Sequence, residues 1–460
     1  MARLVSIAIA LAVLIFGASA AVHFSPIGQS QLPTGSGIAA KQTCSLVFVS
    51  NLDPDTAWDL YVAPLLGPAG QVASMTINEA EPSVTVSIGG FYPAKAVHRP
   101  RLGCTLHLEP GTALEPTPAD LSAAADNGDP APMPLDRAHR AEAFDTAALD
   151  RALDEAFATP EEAAPRNTLA ALVLHDGRLV AERYAPGITG QTPLPGWSMT
   201  KSITATLAGV LVDQGRLDVD APGAIARWRN VDDPRSAITL DHLLRMTSGL
   251  KLTERNDGFD ENSRMLFTTP DAAAFASAQP LVYTSGSHYE YMSGSTVLAM
   301  DRVQEVVGGG LAGAFAFIQD ALFHPLGMDT AVMEPDQEGT FIGSSFMLAG
   351  ARDWARFGQL YLDGGVVDGQ RLISTEWIAH VTRHTAVSGD TGYGAGFWLT
   401  DDRAADQDRL PEGTFYAWGF QGQYIFIMPN ERLVVVRLGA TNSGNPGAVD
   451  FAGAVAAALK

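Results

Sequence analysis

Two pairs of apolar, strand-like runs stand at opposite ends of the region from Phe144 to Lys460, and helical patterns fill the space between them. The first pair is Leu172-Val173-Leu174-His175 and Arg178-Leu179-Val180-Ala181, turned by Asp176-Gly177, a dipeptide that tolerates positive φ at both central positions. The second is Tyr424 to Met428 and Leu433 to Leu438, joined through Pro429-Asn430-Glu431. Strands at both ends with helices between them imply an α/β body. Its core would be one antiparallel sheet assembled from distant segments, flanked by helices and carrying an inserted helical subdomain. Asp145 is placed to cap a helix whose apolar face is Leu149, Leu153, Ala156 and Phe157, and a last helical stretch runs from Val449 to Leu459. This body takes residues 144–460.

Three stretches precede it. In residues 1–20, Arg3 leads an apolar run from Leu4 to Phe16 and then Ala18-Ser19-Ala20, the layout of a secretory signal peptide. The alternative is an uncleaved anchor, because small or apolar residues continue to Val22 and the stretch nears spanning length; only then is a membrane a partner. No later stretch is apolar for long enough to cross a bilayer, so the expected location is periplasmic or secreted. Residues 21–108 carry short β-like runs, Ser45 to Val49 and Ser83 to Ser87, bracketed by the two cysteines Cys44 and Cys104. An exported chain with an even pair oxidises it, which makes this a small disulfide-tied module; two buried thiols would be the reading in a cytosolic chain. By the loop-entropy model, closing a loop of this size contributes about 4 kcal/mol. Residues 109–143, rich in Pro, Ala, Asp and Gly, mark a linker or wrapping arm.

Charge narrows the partners. Asp plus Glu number 51 against 30 Lys plus Arg, for a net charge of −21, which repels phosphate backbones and excludes nucleic acid as a general partner. There is no H-E-x-x-H, C-x-x-C or G-x-S-x-G, and the ten histidines show no ligand spacing, so neither a metal nor a cofactor is implied.

The chemistry begins at Gly196-Trp197-Ser198-Met199-Thr200-Lys201-Ser202. The run from Ile203 to Leu211 is apolar or small nearly all round and stops at Gly215, so Ser198 opens a buried helix with Lys201 one turn further in, on the same face. Burial and the positive end of the helix dipole both disfavour the ammonium and lower its pKa from about 10.4. A neutral Lys201 is a base able to take the Ser198 proton. The spacing alone is weak, because Ser248-Gly249-Leu250-Lys251 repeats it. There the Ser reads as a helix end and turn, with the Lys facing solvent.

A Ser- and Gly-rich approach to a tyrosine follows, from Tyr283-Thr284-Ser285-Gly286 to Tyr289-Glu290-Tyr291-Met292-Ser293-Gly294. With it the chain resembles the serine hydrolases of the β-lactamase superfamily, the class C and penicillin-recognising group. Ser198-Met199-Thr200-Lys201 is similar to the family's S-x-x-K, and Tyr291-Met292-Ser293 to its Y-x-N with Ser in place of Asn. Ile238 to Leu250, Leu322 to Thr330 and Ala349 to Leu360 match further family segments in the right order. The resemblance implies a β-lactamase/transpeptidase-like fold. It makes Ser198 the acylated nucleophile, Lys201 its base and Tyr291 the hydroxyl that relays a proton, with Tyr283 and Tyr289 as rivals. A Tyr beside an ammonium would also have its phenolate favoured.

The family's third motif, K-T-G or H-x-G, is replaced here by Ala417-Trp418-Gly419-Phe420-Gln421-Gly422-Gln423, without Lys or His. That stretch resembles the branch typified by 6-aminohexanoate-dimer hydrolase and related esterases. It implies an oxyanion hole from the N–H groups of Ser198 and Phe420. Trp418, Gly419 and Ser293 would border the substrate, and Gly422 would permit close approach. The expected function is hydrolysis of a small-molecule amide or ester through an acyl-enzyme. The alternatives are a β-lactamase or D-alanyl peptidase, and a non-catalytic binding protein on the same scaffold.

Overall fold

The computed structural model describes residues 25–109, 112, 114, 133–159, 164–229, 232–400, 409–442 and 444–460. The stretch 1–20, read as a signal peptide, and much of 109–143, read as a linker, lie outside the described residues. Among the described residues no single helix is long and apolar enough to cross a membrane.

The N-terminal part forms helix α1 (Leu32–Phe48) and a four-stranded antiparallel sheet in chain order, β1 (Ala73–Asn78), β2 (Ser83–Ile88), β3 (Phe91–Arg99) and β4 (Gly103–His107). Disulfide Cys44–Cys104 joins α1 to β4, with Cα atoms 6.0 Å apart. Ser83 to Ser87 is a strand, and its alternate residues Val84 and Val86 are buried. Ser45 to Phe48, expected as a strand, is instead the last turn of α1. Tertiary partners override the local preference there. The Ser45 hydroxyl donates back to the Lys41 carbonyl at 3.1 Å and to Glu334 Oε1 at 2.8 Å, contacts that need Lys41 and Ser45 one helical turn apart.

Lys41 is buried at the same place. Its ammonium pairs with Glu334, donates to Ser45 Oγ at 3.0 Å and stands 4.3 Å over the Phe346 ring. The Cys104 N–H donates to Glu334 Oε1 at 2.6 Å. Burial pushes the Lys41 pKa down, opposed by the Glu334 charge. One apolar core continues across this junction, joining Cys44, Leu46, Val84 and Leu106 to Ile203, Leu207, Met265 and Phe323.

The C-terminal body opens with α2 (Thr146–Phe157), capped by Asp145, whose carboxylate accepts from the N–H groups of Ala147 and Ala148. Hairpin β5 (Thr168–His175) and β6 (Arg178–Tyr184) follows, with φ of 49° at Asp176 and 72° at Gly177. Then come α3 (Thr200–Asp213), α4 (Glu261–Thr268), α5 (Ser293–Val307) and α6 (Ala351–Leu362). The chain ends in β7 (Trp398–Leu399), β8 (Phe415–Gly419), β9 (Gln423–Met428), β10 (Leu433–Gly439) and α7 (Ala448–Ala457).

The distant hairpins meet in one six-stranded sheet, ordered β7-β8-β9-β10-β5-β6 and antiparallel throughout. Leu433 faces His175 and Leu438 faces Ala170 across the junction of β10 and β5. Ala171, Val173, Phe426 and Val435 pack with Leu149 of α2 and Phe451 of α7. Leu172, Leu174, Ile425 and Val434 face the other side, toward α6 and the main core. Both faces are covered, which is why the central runs Leu169–Leu174, Tyr424–Met428 and Leu433–Val436 are apolar without alternation. Helices α3 to α5 form the inserted region, and α3 begins beside the end of β8.

Candidate active site

Ser198 sits in the short 3₁₀ turn Trp197–Met199 that leads into α3. The turn is held from three sides. The Gly196 N–H donates to the Met347 carbonyl at 2.8 Å, and a Cβ on Gly196 would lie 2.4 Å from Trp354 Cζ2. The Trp197 indole N–H donates to Gln421 Oε1 at 3.0 Å, and its ring meets the Phe420 ring edge-on at 5.4 Å. Trp197 has φ of 49°, a left-handed conformation that costs a bulky residue of order 1–3 kcal/mol and persists only where its surroundings over-determine it. The result is a sharp bend that leaves Ser198 only half-buried at the mouth of a helix buried from Thr200 to Leu211.

Lys201 is 1% exposed. Its Nζ donates to Ser198 Oγ at 2.9 Å, Ser293 Oγ at 3.0 Å and the Ser344 carbonyl at 3.2 Å. Three acceptors match the three donors of an ammonium. Burial still wins, pushing its pKa down to about 8 against the opposing charge of Glu254.

Tyr291, in the segment before α5, is half-buried, and its hydroxyl interacts with the Ser198 side chain. Its ring centroid is 4.8 Å from Lys201 Nζ, and Tyr393 and Trp398 pack on it at 5.8 and 5.3 Å. The expectation of a favoured phenolate is overturned. Burial among aromatics, with the Glu254 charge adding to it, drives the Tyr291 pKa well up, so the phenol keeps its proton. Of the rivals, Tyr283 is exposed and stacked on His288. Tyr289 packs beside Tyr393, and its buried hydroxyl has no partner among the described residues.

Ser293 opens α5, where its hydroxyl serves Lys201 and its N–H donates to Glu254 Oε2 at 2.6 Å. Gly419 ends β8 against the nucleophile turn, and a Cβ there would stand 2.1 Å from the Gly196 carbonyl oxygen. Phe420 follows, half-exposed and lining the same cavity as Ser198. Trp418 stacks on Tyr424 at 6.0 Å and lies outside the cavity lining. Gly422, at φ of 81°, admits the Arg437 guanidinium rather than the cavity: a Cβ there would be 2.4 Å from Arg437 Nη1. In the second S-x-x-K, Ser248 is buried against Ser295 at 3.3 Å and Lys251 is exposed, far from any paired arrangement.

Sequence reasoning missed Glu254 and the Ser344 carbonyl. Glu254 stands in an unpatterned loop, and a backbone carbonyl carries no side-chain signal. It also missed an encounter away from the site: His139 Nε2 and His175 Nδ1, separate in sequence, meet at 2.8 Å beside Asp176. That is the one His-rich grouping with ligand-like proximity among the described residues.

The Ser198 cavity has a volume of about 470 Å³. Glu254 and Asp257 are the charged residues on its wall, and among the described residues no Lys, Arg or His lines it. A serine hydroxyl bonded to a lysine of depressed pKa, with a protonated phenol packed beside that lysine, is the arrangement of acyl-transfer chemistry.

The Beta-lactamase family model matches residues 153–460. The chain belongs to the β-lactamase family. It is similar to 6-aminohexanoate-dimer hydrolase of Paenarthrobacter ureafaciens, at 25% identity over 59% of this chain and 72% of that protein. It is also similar to Penicillin-binding protein 4 of Amycolatopsis lactamdurans, at 26% identity over 68% of this chain and 87% of the other. Among solved structures, a penicillin-binding protein homolog from Caulobacter crescentus superposes with a TM-score of 0.53 at 20% identity, covering 72% of this chain and 100% of that one. That likeness is one of fold. The protein is a hydrolase with the family's α/β architecture.

Proposed function

We propose that the protein is an exported serine hydrolase that cleaves a small amide or ester through an acyl-enzyme on Ser198. The contact that carries this reading is Lys201 Nζ to Ser198 Oγ at 2.9 Å, made by a buried amine with a pKa of about 8. Neutral Lys201 takes the hydroxyl proton as Ser198 Oγ attacks the carbonyl carbon. The N–H groups of Ser198 and Phe420 receive the oxyanion. Tyr291 gives its proton to the leaving nitrogen or oxygen and is reprotonated through Lys201. Water then attacks the acyl carbon, losing a proton to neutral Lys201, and Ser198 leaves with a proton returned to Oγ.

The 6-aminohexanoate-dimer hydrolase relative supports a linear amide as substrate class. A β-lactam or D-alanyl peptide would present a carboxylate, and Trp418-Gly419-Phe420 offers it no cation. The apolar leader and the Cys44–Cys104 bridge support export to the periplasm or beyond. The test is the intact mass of the protein after exposure to a fluorophosphonate, with peptide mapping in wild type and Ser198→Ala. One adduct, on Ser198 and absent from the variant, is expected. No adduct, or one on Ser248, would overturn the assignment.

A further inference from the structure

We propose that the N-terminal segment, residues 25–88, forms the specificity wall of the active-site cavity, and that the cavity takes the apolar chain of an uncharged ester or amide. The inference rests on Ser198 being the nucleophile, as proposed above.

Ser198, Ser293 and Phe420 line one part of the cavity, and the wall beside them is N-terminal: Leu32, Ile38, Leu66 and Ile88. Leu266 and Phe267 of α4 extend this apolar wall, while Gln31, Thr34, Asn256, Asn262 and Ser263 give the rest of the lining an uncharged polar part. The family match begins at residue 153, so this wall is built by sequence outside it. It is not a loosely laid flap. At Gly37 the α1 backbone runs so close to α4 that a Cβ would stand 2.2 Å from the Phe267 carbonyl oxygen. Ser30 Oγ donates to the Gly258 carbonyl at 2.6 Å, and Gln31 Nε2 to that of Asp257 at 3.0 Å.

On the other flank, Asn442 Nδ2 donates to the Leu60 carbonyl at 3.0 Å and Gln421 Nε2 to that of Tyr61 at 3.4 Å. Gln421 is also the residue that receives the Trp197 indole N–H. The segment that shapes the cavity is therefore hydrogen-bonded to the residue that steadies the nucleophile turn.

The lining sets the substrate class. An apolar wall rewards each methylene it removes from water. A carboxylate on the chain would meet no Lys, Arg or His among the described lining residues, and it would meet the Glu254 charge. Asp257 is already paired with Arg255 at 2.9 Å.

The experiment measures kcat/KM for neutral p-nitrophenyl esters from acetate to octanoate in the full-length protein, alongside a long-chain ester ending in a carboxylate. In wild type, kcat/KM should rise about fourfold per added methylene until the cavity is full, and the terminal carboxylate should erase the gain. Leu66→Trp should flatten the rise, and Leu66→Ala should move the optimum to longer chains. The two half-buried substitutions act in opposite directions, so loss of one to misfolding leaves the other decisive. A flat chain-length profile in wild type, a profile identical in both variants, or equal turnover of the carboxylate ester would overturn the proposal. Labelling of wild-type Ser198 by a fluorophosphonate is read separately. If the labelling fails, the nucleophile is misassigned; if it succeeds with a flat profile, only the wall is.

Discussion

The ionisation of Lys201 should be visible in the pH dependence of acylation. Its pKa is lowered from 10.5 to about 8, with burial as the leading cause. At pH 7 roughly a tenth of the enzyme then holds the neutral amine, against about three parts in ten thousand for an unshifted lysine. Burial thus raises the competent fraction about 300-fold. Below pH 7 the rate should fall close to tenfold per unit, so kcat/KM should show an acid limb centred near 8.

The same shift has a stability consequence. The folded pKa lies below the unfolded one, so the folded state binds this proton less readily. The cost, about 3 kcal/mol, is fully present below pH 8 and fades as the pH rises toward 10.5. The assay is the second-order rate of Ser198 labelling by a small fluorophosphonate from about pH 5.5 to 9.5, repeated in Glu254→Gln. Because the Glu254 charge holds the lysine pKa up, its removal should move the limb to lower pH. A limb centred near the imidazole range of about 6.5, or a move to higher pH in Glu254→Gln, would refute the reasoning.

Three further outcomes are expected. Tyr291→Phe should lower kcat/KM on an amide by about 10²-fold or more, and much less on a p-nitrophenyl ester, whose leaving group needs no proton; parallel kinetics on the two substrates check this. Gly419→Ala should force β8 from the nucleophile turn, since its Cβ would stand 2.1 Å from the Gly196 oxygen; activity should drop about 10²-fold with circular dichroism unchanged. Glu334→Gln should leave Lys41 buried without its counter-ion, costing about 3–5 kcal/mol in denaturant unfolding, and Lys41→Met in addition should recover most of that loss.

Local signals were legible where the physics is local. The Asp176-Gly177 turn, the Asp145 cap and the apolar strands on both sides of the sheet lie where their residue types place them. Ser198 and Lys201 share a face because the i, i+3 spacing of a helix requires it, and the depressed pKa follows from a helix apolar all round. Tyr291 joined them through the resemblance rather than through any pattern, since Tyr283 and Tyr289 read equally well as strand or core aromatics. Its protonation was misread because the approach of Glu254 and the burial of the ring are invisible in a linear neighbourhood.

The sequence by itself determined the Asp145-capped helix, the two apolar hairpins, and the pairing of a hydroxyl with a lysine one turn away. These are consequences of period, capping and burial that act over a few residues. Only the tertiary structure decided that Ser45 to Phe48 is helix, because Glu334, distant in sequence, captures Lys41 and Ser45 together. It alone placed Trp197 in a strained turn, set Glu254 beside the phenol and brought Leu32, Ile38, Leu66 and Ile88 to the cavity. Those contacts join residues far apart along the chain, and their energies exist only once the core between them has closed.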